Sequence, residues 1–495
     1  MPRRLPLVTA LTAVTILCSG HVGSPDTWFE GTAGPYPIRV VVRLPGVVPG
    51  LGQIDVTVPP DGIEKVTAQP VMFDAGKEGA PPPDEAKPIP GKPGMYHAQL
   101  WFMTVGSFSV NIEVTGAKGH GTAIVPVAAV AVRQIGLYPW LGKILGVLGL
   151  LLFVGAVTII RAAATDSVVA PGERLDGKRA RKGMIATVAG AGLLVFGLWG
   201  GRSWWLAVER NYRNEMYRPF QAAASVGADR QLEFAITDSA WTSRRATNLW
   251  ERFSMSPLLP DHGKLMHLFM VRADDQGAFA HLHPISVDSS RFRAAVGNLP
   301  GGKYRVYADV VHETGFPQTM VATVDVPPGE LARFGDPDDA VFVGEPGDTV
   351  FRYPDGSTLT WEAKPPKLAV DTDAGLTFVF RTPDGAVAPL EPYLGMVGHA
   401  VVERNDGSVY VHLHPGGTTS MAAQQALGSR QRTDTVPGML AARIAADSSA
   451  HMGPHTFAGR FSFPYAFPKA GTYRVWVQVR HGGVILTAPF RVDVE

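Results

Sequence analysis

Apolar and polar residues alternate with a period of two at 37–44, 53–58 and 106–114, the signature of strands with one face turned to a core. Short β-branched and aromatic runs separated by Gly and Pro recur over 230–327 and 346–495. Three uncharged apolar runs break this rhythm, at 5–17, 144–160 and 184–201. The first follows Pro2-Arg3-Arg4 and ends at Cys18-Ser19-Gly20, small residues of the kind a signal peptidase reads, so 1–20 reads as a signal peptide, with a lipoprotein site at Cys18 as the alternative. The other two, extended to 138–160 and 184–205, are long enough to cross roughly 30 Å of hydrocarbon.

The expected fold is therefore mainly β: three immunoglobulin-like β-sandwich domains, at 25–133, 230–327 and 346–495, with a two-helix transmembrane anchor between the first and second. A length of 495 residues agrees with about three domains. Residues 206–229 read as a tether, and Pro327-Pro328-Gly329 with the acidic, turn-rich stretch from Gly335 to Asp339 as a divider.

Charge sets the expected orientation. The 161–183 connection carries Arg161, Arg174, Lys178, Arg179, Arg181 and Lys182, which places it in the cytoplasm. Tyr138, Trp140, Trp199, Trp204 and Trp205 then form an aromatic belt at the opposite interface, with the β domains on the periplasmic or extracellular side of the cell membrane. Neither span contains Asp, Glu or His, so both read as an anchor in the lipid bilayer and not as a transport path. Over the whole chain, 45 Lys and Arg nearly balance 44 Asp and Glu, which argues against nucleic acid as a partner. Cys18 is the sole cysteine, which excludes thiolate metal sites, cysteine nucleophiles and redox CxxC chemistry from the mature chain.

The candidate chemistry lies in a repeat. One copy has His267, then Asp275-Gln276-Gly277, then His281-Leu282-His283-Pro284, and later Gly302-Lys303-Tyr304 with His312 eight residues after the Tyr. The other has His399, then Asn405-Asp406-Gly407, then His412-Leu413-His414-Pro415, and later Gly471-Thr472-Tyr473 with His481. About 38 additional residues in the second copy, including His451-Met452-Gly453-Pro454-His455, read as a mobile loop.

Each copy has the pattern of a β-hairpin. Counting outward from Asp406-Gly407 sets His399 opposite His414 and His412 opposite Val401, so the three imidazoles share one face. In the first copy a three-residue loop with a bulge at Gly277 sets His267 opposite His283, with His281 beside them. Glu403 and Tyr410 on the same face predict that it is the wetter one. Three neutral imidazoles suit copper(II) or zinc; His312 and His481 are candidate fourth ligands, and Met266, Met396 and Met452 candidate soft ligands. Solvated histidines paired with Glu403 or with backbone would give the same pattern. The 25–133 region lacks such a hairpin and has only scattered His97 and His120. Tyr304 and Tyr473, each two residues after a Gly, read as the tyrosines that tie a corner in a sandwich.

On Gly395-Met396-Val397-Gly398-His399, His412-Leu413-His414-Pro415 and Phe467-Pro468-Lys469-Ala470-Gly471-Thr472-Tyr473-Arg474-Val475, the sequence resembles bacterial extracytoplasmic YtkA-like and CopC-like sandwich domains. That resemblance covers roughly 250–325 and 375–495, and implies an immunoglobulin-like sandwich outside the cytoplasm with a copper role. Unlike CopC-like proteins, the C-terminal domains have no N-terminal histidine ligand. The expected function is a non-enzymatic, membrane-anchored metal-binding protein acting as a copper buffer, chaperone or sensor. Two alternatives stay open: a scaffold whose sandwiches bind another envelope protein, and a zinc hydrolase with Glu403 or Glu313 as base.

Overall fold

The computed structural model describes residues 21–22, 26–165, 172, 174–329, 335–446 and 456–495, and forms two units: 1–130 with 219–495, and 131–218. The expected signal peptide and the His451–His455 stretch lie outside the described residues.

The 131–218 unit is a helical hairpin, Pro139–Thr165 and Gly177–Asn214. Both helices are long and apolar enough to cross a membrane. Gly183 and Gly190 let the pair approach closely, since a Cβ there would meet Thr165 and Ile160. Leu148, Leu151, Leu152, Leu193, Phe196 and Trp199 are exposed on the hairpin. The second helix runs to Asn214, beyond the expected span end, because no Gly or Pro interrupts 202–214. The rest of the expected tether is not all connector: Ala222–Val226 pairs as a strand with Gln231–Ile236 in the other unit.

That other unit is mainly β, built of antiparallel sheets with one short parallel pairing between His21–Val22 and the 409–413 strand. Over 26–129, strands Tyr36–Arg43, Gly50–Thr57 and Gly106–Gly116 fall where alternation predicted them. Ile38, Val40, Val42, Ile54, Val56, Val110, Ile112 and Val114 pack into one core between two sheets. A second pair of sheets spans 222–343, and a third 350–494. Strand Ala340–Val343, just after the stretch read as a divider and beyond the expected bound at 327, pairs with Ala278–Leu282 and so completes the second region's sheet.

Both repeats form the expected hairpins. Phe269 pairs with His281 and Val401 with His412, which sets His267 opposite His283 and His399 opposite His414. In the first turn the left-handed residue is Gln276, φ 57°, and not Gly277. Its conformation is held by a tertiary contact: the buried Gln276 side chain donates to Glu403 Oε2 at 2.6 Å. Tyr304 and Tyr473 each donate to the carbonyl four residues upstream, Pro300 at 2.8 Å and Lys469 at 2.7 Å, the corner tie foreseen for them.

The expectation of a wet histidine face fails. Glu403 and Tyr410 are fully buried, because the histidine faces of the two hairpins pack against each other. An approximate two-fold relation organises the contact: Tyr307 stacks on Tyr410 at 3.9 Å, and its counterpart Trp476 stacks on Phe279 at 4.9 Å. Offset aromatic pairs contribute about 0.5–1.5 kcal/mol each beyond area burial. Arg305 makes a two-armed ion pair with Glu403 from repeat to repeat, with Tyr307 also donating to that carboxylate.

The long insert of the second copy also differs from expectation. It contains helices Met421–Ser429, capped by Ser420, and Met439–Ala446. Their apolar residues Ala422, Ala423, Ala426 and Leu440 bury against Phe73, Leu259 and Val311. Alanine is a strong helix former, and the apolar spacing of the insert finds its partners only in tertiary structure.

Candidate metal centre between the two repeats

Packing face to face brings six of the predicted histidines into one buried group. His267, His281 and His283 each offer a nitrogen within 4.8 Å of the others, as do His399, His412 and His414. Ring separations within the first triad are 5.4, 5.1 and 4.5 Å, and within the second 5.3, 5.1 and 4.5 Å. Between triads, His267 lies 5.5 Å from His412, and His281 5.9 Å from His412. The hairpin register puts three rings on one face; the pseudo-two-fold contact sets the faces together.

The hydrogen bonds fix the tautomers. His267 Nε2 faces the Asp261 carbonyl at 3.1 Å and must donate, so its Nδ1 holds a lone pair. His281 Nδ1 faces Gln478 Oε1 at 2.8 Å, which leaves the lone pair on Nε2. Those two unprotonated nitrogens point at each other across 3.1 Å. The second triad repeats the arrangement. His399 Nε2 donates to the Tyr393 carbonyl at 3.2 Å, His412 Nδ1 faces Asp309 Oδ2 at 3.5 Å, and His399 Nδ1 meets His412 Nε2 at 3.1 Å. The third ring of each set donates from Nδ1, His283 to Asp339 at 3.1 Å and His414 to the Thr419 carbonyl at 3.2 Å. Their Nε2 atoms are buried without a partner.

Lone pairs converging in a buried space repel unless a cation lies among them. Tetrahedral ligation with 2.0–2.1 Å bonds separates neighbouring nitrogens by about 3.3 Å, close to the pairs seen here. A remote nitrogen tied to a carbonyl or carboxylate is the support that metal-bound imidazoles need. Here the support crosses the interface: Gln478 of the second repeat holds His281, and Asp309 of the first holds His412. These two residues are counterparts, each the cross-strand neighbour of the first histidine in its own copy.

Burial, and then the neighbouring rings, hold His281, His399 and His412 well below the ordinary histidine value; burial and His283 do the same for His267. Burial brings His414 down to about 4. Neutral imidazoles with free lone pairs are the ligand form. Burial also pushes the Asp309 carboxyl up to about 7, against the Thr319 and Tyr410 hydroxyls that donate to it.

Two predicted ligands stand apart. His312 is buried among Phe220, Trp241 and Phe316, its Nδ1 3.5 Å from the Ser256 carbonyl. His481 is half-buried beside Phe380, with Nδ1 3.3 Å from the Pro389 carbonyl. Both strands carry the motif histidine past the contact zone, so neither closes a triad. Of the proposed bases, Glu403 is consumed by Arg305, and Glu313 accepts from the Gly438 and Ala441 amides. Met452 lies outside the described residues.

Sequence reasoning missed His262, Asp261, Tyr393, Asp309, Asp339 and Gln478. A signal existed for some of them. Aligning the copies backwards from His267 and His399 puts Asp261-His262-Gly263 over Tyr393-Leu394-Gly395, and forwards from the Gly-x-Tyr puts Asp309 over Gln478. Asp339 carries no such signal, because the second copy uses the Thr419 carbonyl in its place.

No curated protein matches the sequence. Solved structures match with low scores. A tetra-tandem repeat from the extending region of a large adhesion protein is 11% identical, with 92% of this chain and 73% of that one covered, at a TM-score of 0.15. Salmonella alpha-2-macroglobulin reacted with methylamine is 10% identical at a TM-score of 0.20; 96% of this chain covers 24% of that one. An ICAM-5 D1–D4 ectodomain fragment is 9% identical, covering 91% and 74%, at 0.14. Scores of this size carry no inference about fold or function. A family model, described as a domain of unknown function, matches residues 218–328 and 350–495, which include both triads. That match covers more than half of the sequence, and the chain belongs to this family, DUF8832.

Proposed function

We propose that the chain is a membrane-anchored metal-binding protein whose immunoglobulin-like β domains stand outside the cytoplasm and hold ions between the two histidine-bearing repeats. One observation carries the reading: in both triads two imidazole nitrogens face each other at 3.1 Å in a buried space, and the third ring of each turns a buried Nε2 without a partner toward them. Copper(II) is the favoured ion. All six donors are imidazoles, a set that suits copper and zinc, and copper(II) binds nitrogen sites more tightly than zinc. Binding in the manner of a buffer, chaperone or sensor fits better than catalysis, since both candidate carboxylate bases are already engaged. The basic 174–182 segment, which leads into the second helix, and the aromatic residues toward the opposite side of the hairpin support the cytoplasmic loop and the outer β regions.

Titrating the full chain in detergent with copper(II) and with zinc(II) tests this. Stoichiometric binding that is lost when His281 and His412 are both replaced by Ala is expected. Absence of stoichiometric binding, or binding indifferent to those replacements, would sink the proposal.

A further inference from the structure

The two triads differ in one neighbour. In the turn before each triad's first strand, Asp261 bridges to Lys264 and Tyr393 to Met396. The second residue of both turns is left-handed, His262 at φ 53° and Leu394 at φ 52°, followed by Gly263 and Gly395. Backbone and sequence position are thus equivalent, but one side chain is an imidazole and the other an aliphatic group. A bulky residue with positive φ is uncommon and is held by its surroundings.

His262 belongs to the first repeat, yet it approaches the second triad. Its ring lies 5.1 Å from that of His414 and 5.4 Å from that of His399, but 6.1 Å from His267 of its own copy. The side chain is 1% exposed, and its Nε2 is buried without a hydrogen-bond partner. Asp261, His262 and His414 can also bring one donor atom each within 4.8 Å of one another. The Asp261 carboxylate already accepts from the Ala422 amide at 2.9 Å and lies 3.7 Å from His262 Nε2, so it is placed to orient this region and hold it to the insert helix. At the equivalent place beside the first triad, Leu394 offers no donor. The Tyr393 hydroxyl there is committed, donating to the Asp338 carbonyl at 3.0 Å and lying 3.1 Å from His281 Nδ1.

We propose that His262 is a fourth imidazole ligand of the ion held by His399, His412 and His414, so that the two sites are unequal. The second site is closed by four imidazoles drawn from both repeats and fastens the interface. The first, of His267, His281 and His283, keeps a coordination position free. Closed and open sets of this kind separate structural from exchangeable or reactive ions. The inference rests on the metal-binding reading above and deepens it.

The pseudo-symmetry supplies the test, an exchange of the two turn residues. Cobalt(II) reports coordination through its d–d absorption, and the full chain in detergent is titrated as wild type, H262L, L394H, H281A and H412A. Two ions of unequal affinity are expected for the wild type. H262L should weaken the tighter site by at least about tenfold, leave the other unchanged and alter the spectrum of the tighter site alone. L394H should tighten the weaker site and shift its spectrum toward that of the other. Melting curves of the apo variants show whether H262L still folds, and L394H tests the same idea by gain. Two ions bound with equal affinity in the wild type, or affinities and spectra unchanged by H262L and L394H, would overturn the inference and leave the metal reading intact if H281A and H412A still abolish binding. No cobalt, copper or zinc bound by the wild type would overturn both.

Discussion

The two histidine repeats share a hairpin, a register and a tyrosine corner, yet they contribute differently to the contact between them. Position 305 and its counterpart 474 are both arginine. Arg305 reaches the buried Glu403 of the other repeat, whereas the position matching Glu403 is Val271; among the described residues Arg474 makes no ion pair within 4.0 Å, donates from Nη2 to the Asp275 carbonyl at 3.4 Å and has a buried Nη1 without a partner. Asp309 likewise corresponds to Gln478, and His262 to Leu394. A duplicated fold supplies the frame twice, and single substitutions within it have made one half of the interface ionic and the other apolar. What a repeat leaves unlike is where the chemistry of the pair is decided.

Breaking the ionic half should have the largest effect. Glu403→Ala leaves Arg305 next to a void with no counter-charge and is expected to cost about 3–5 kcal/mol of stability. Arg474→Leu, at the matching place, should cost under about 1 kcal/mol, and urea unfolding of the two variants followed by tryptophan fluorescence compares them. Equal losses would mean that the asymmetry has no energetic consequence.

Metal addition probes both halves together. At a free copper(II) or zinc(II) concentration near 100 times Kd, binding to the folded state alone should stabilise by about 2.7 kcal/mol per site. The rise in melting temperature should disappear in a His281→Ala, His412→Ala double variant and persist in His481→Ala, whose ring lies outside both triads.

Position 312, buried where its counterpart 481 is half-buried, gives the next contrast. Burial brings His312 down to about 4. Its folded value is below the unfolded value of about 6.5, so the unfolded chain binds the proton first, and the neutral ring's contribution is lost as pH falls below about 6.5. At pH 5.5 the loss is about 1.4 kcal/mol. Melting curves of apo protein at pH 7.5 and 5.5 should therefore differ less in His312→Phe, which keeps an aromatic ring among Phe220, Trp241 and Phe316.

The smallest expected effect concerns the feature the repeats share. Tyr304→Phe and Tyr473→Phe each remove one hydrogen bond to a carbonyl four residues back and should cost about 0.5–1.5 kcal/mol, equally in both copies. A clear inequality would show that the corners are not equivalent.

Much of this was legible before the structure. Strand alternation, the two apolar helices, the hairpin register and the corner tyrosines are all set by residues close in sequence, through the period of side-chain direction and the reach of a turn. So was the grouping of each triad, because His267, His281 and His283, like His399, His412 and His414, share a hairpin face by counting alone. The errors fall where long-range packing overrides a local cue. Glu403 and Tyr410 marked their face as wet by residue type, but burial of a charge is permitted once Arg305, Tyr307 and Gln276 arrive from another domain. An alanine-rich insert read as a loop became helical against Phe73 and Leu259. His312 and His481 matched by spacing and yet entered different surroundings, since spacing fixes a position on a strand and not what packs above it.

The sequence by itself determined that two three-imidazole faces exist, because pleat and turn geometry act within about 20 residues. Only the tertiary structure decided that these faces meet, that Gln478 and Asp309 hold histidines of the opposite repeat, and that His262 turns toward the second triad and not its own. Those relations depend on aromatic stacking and a buried ion pair between residues roughly one to two hundred positions apart, and no local rule of chain geometry specifies them.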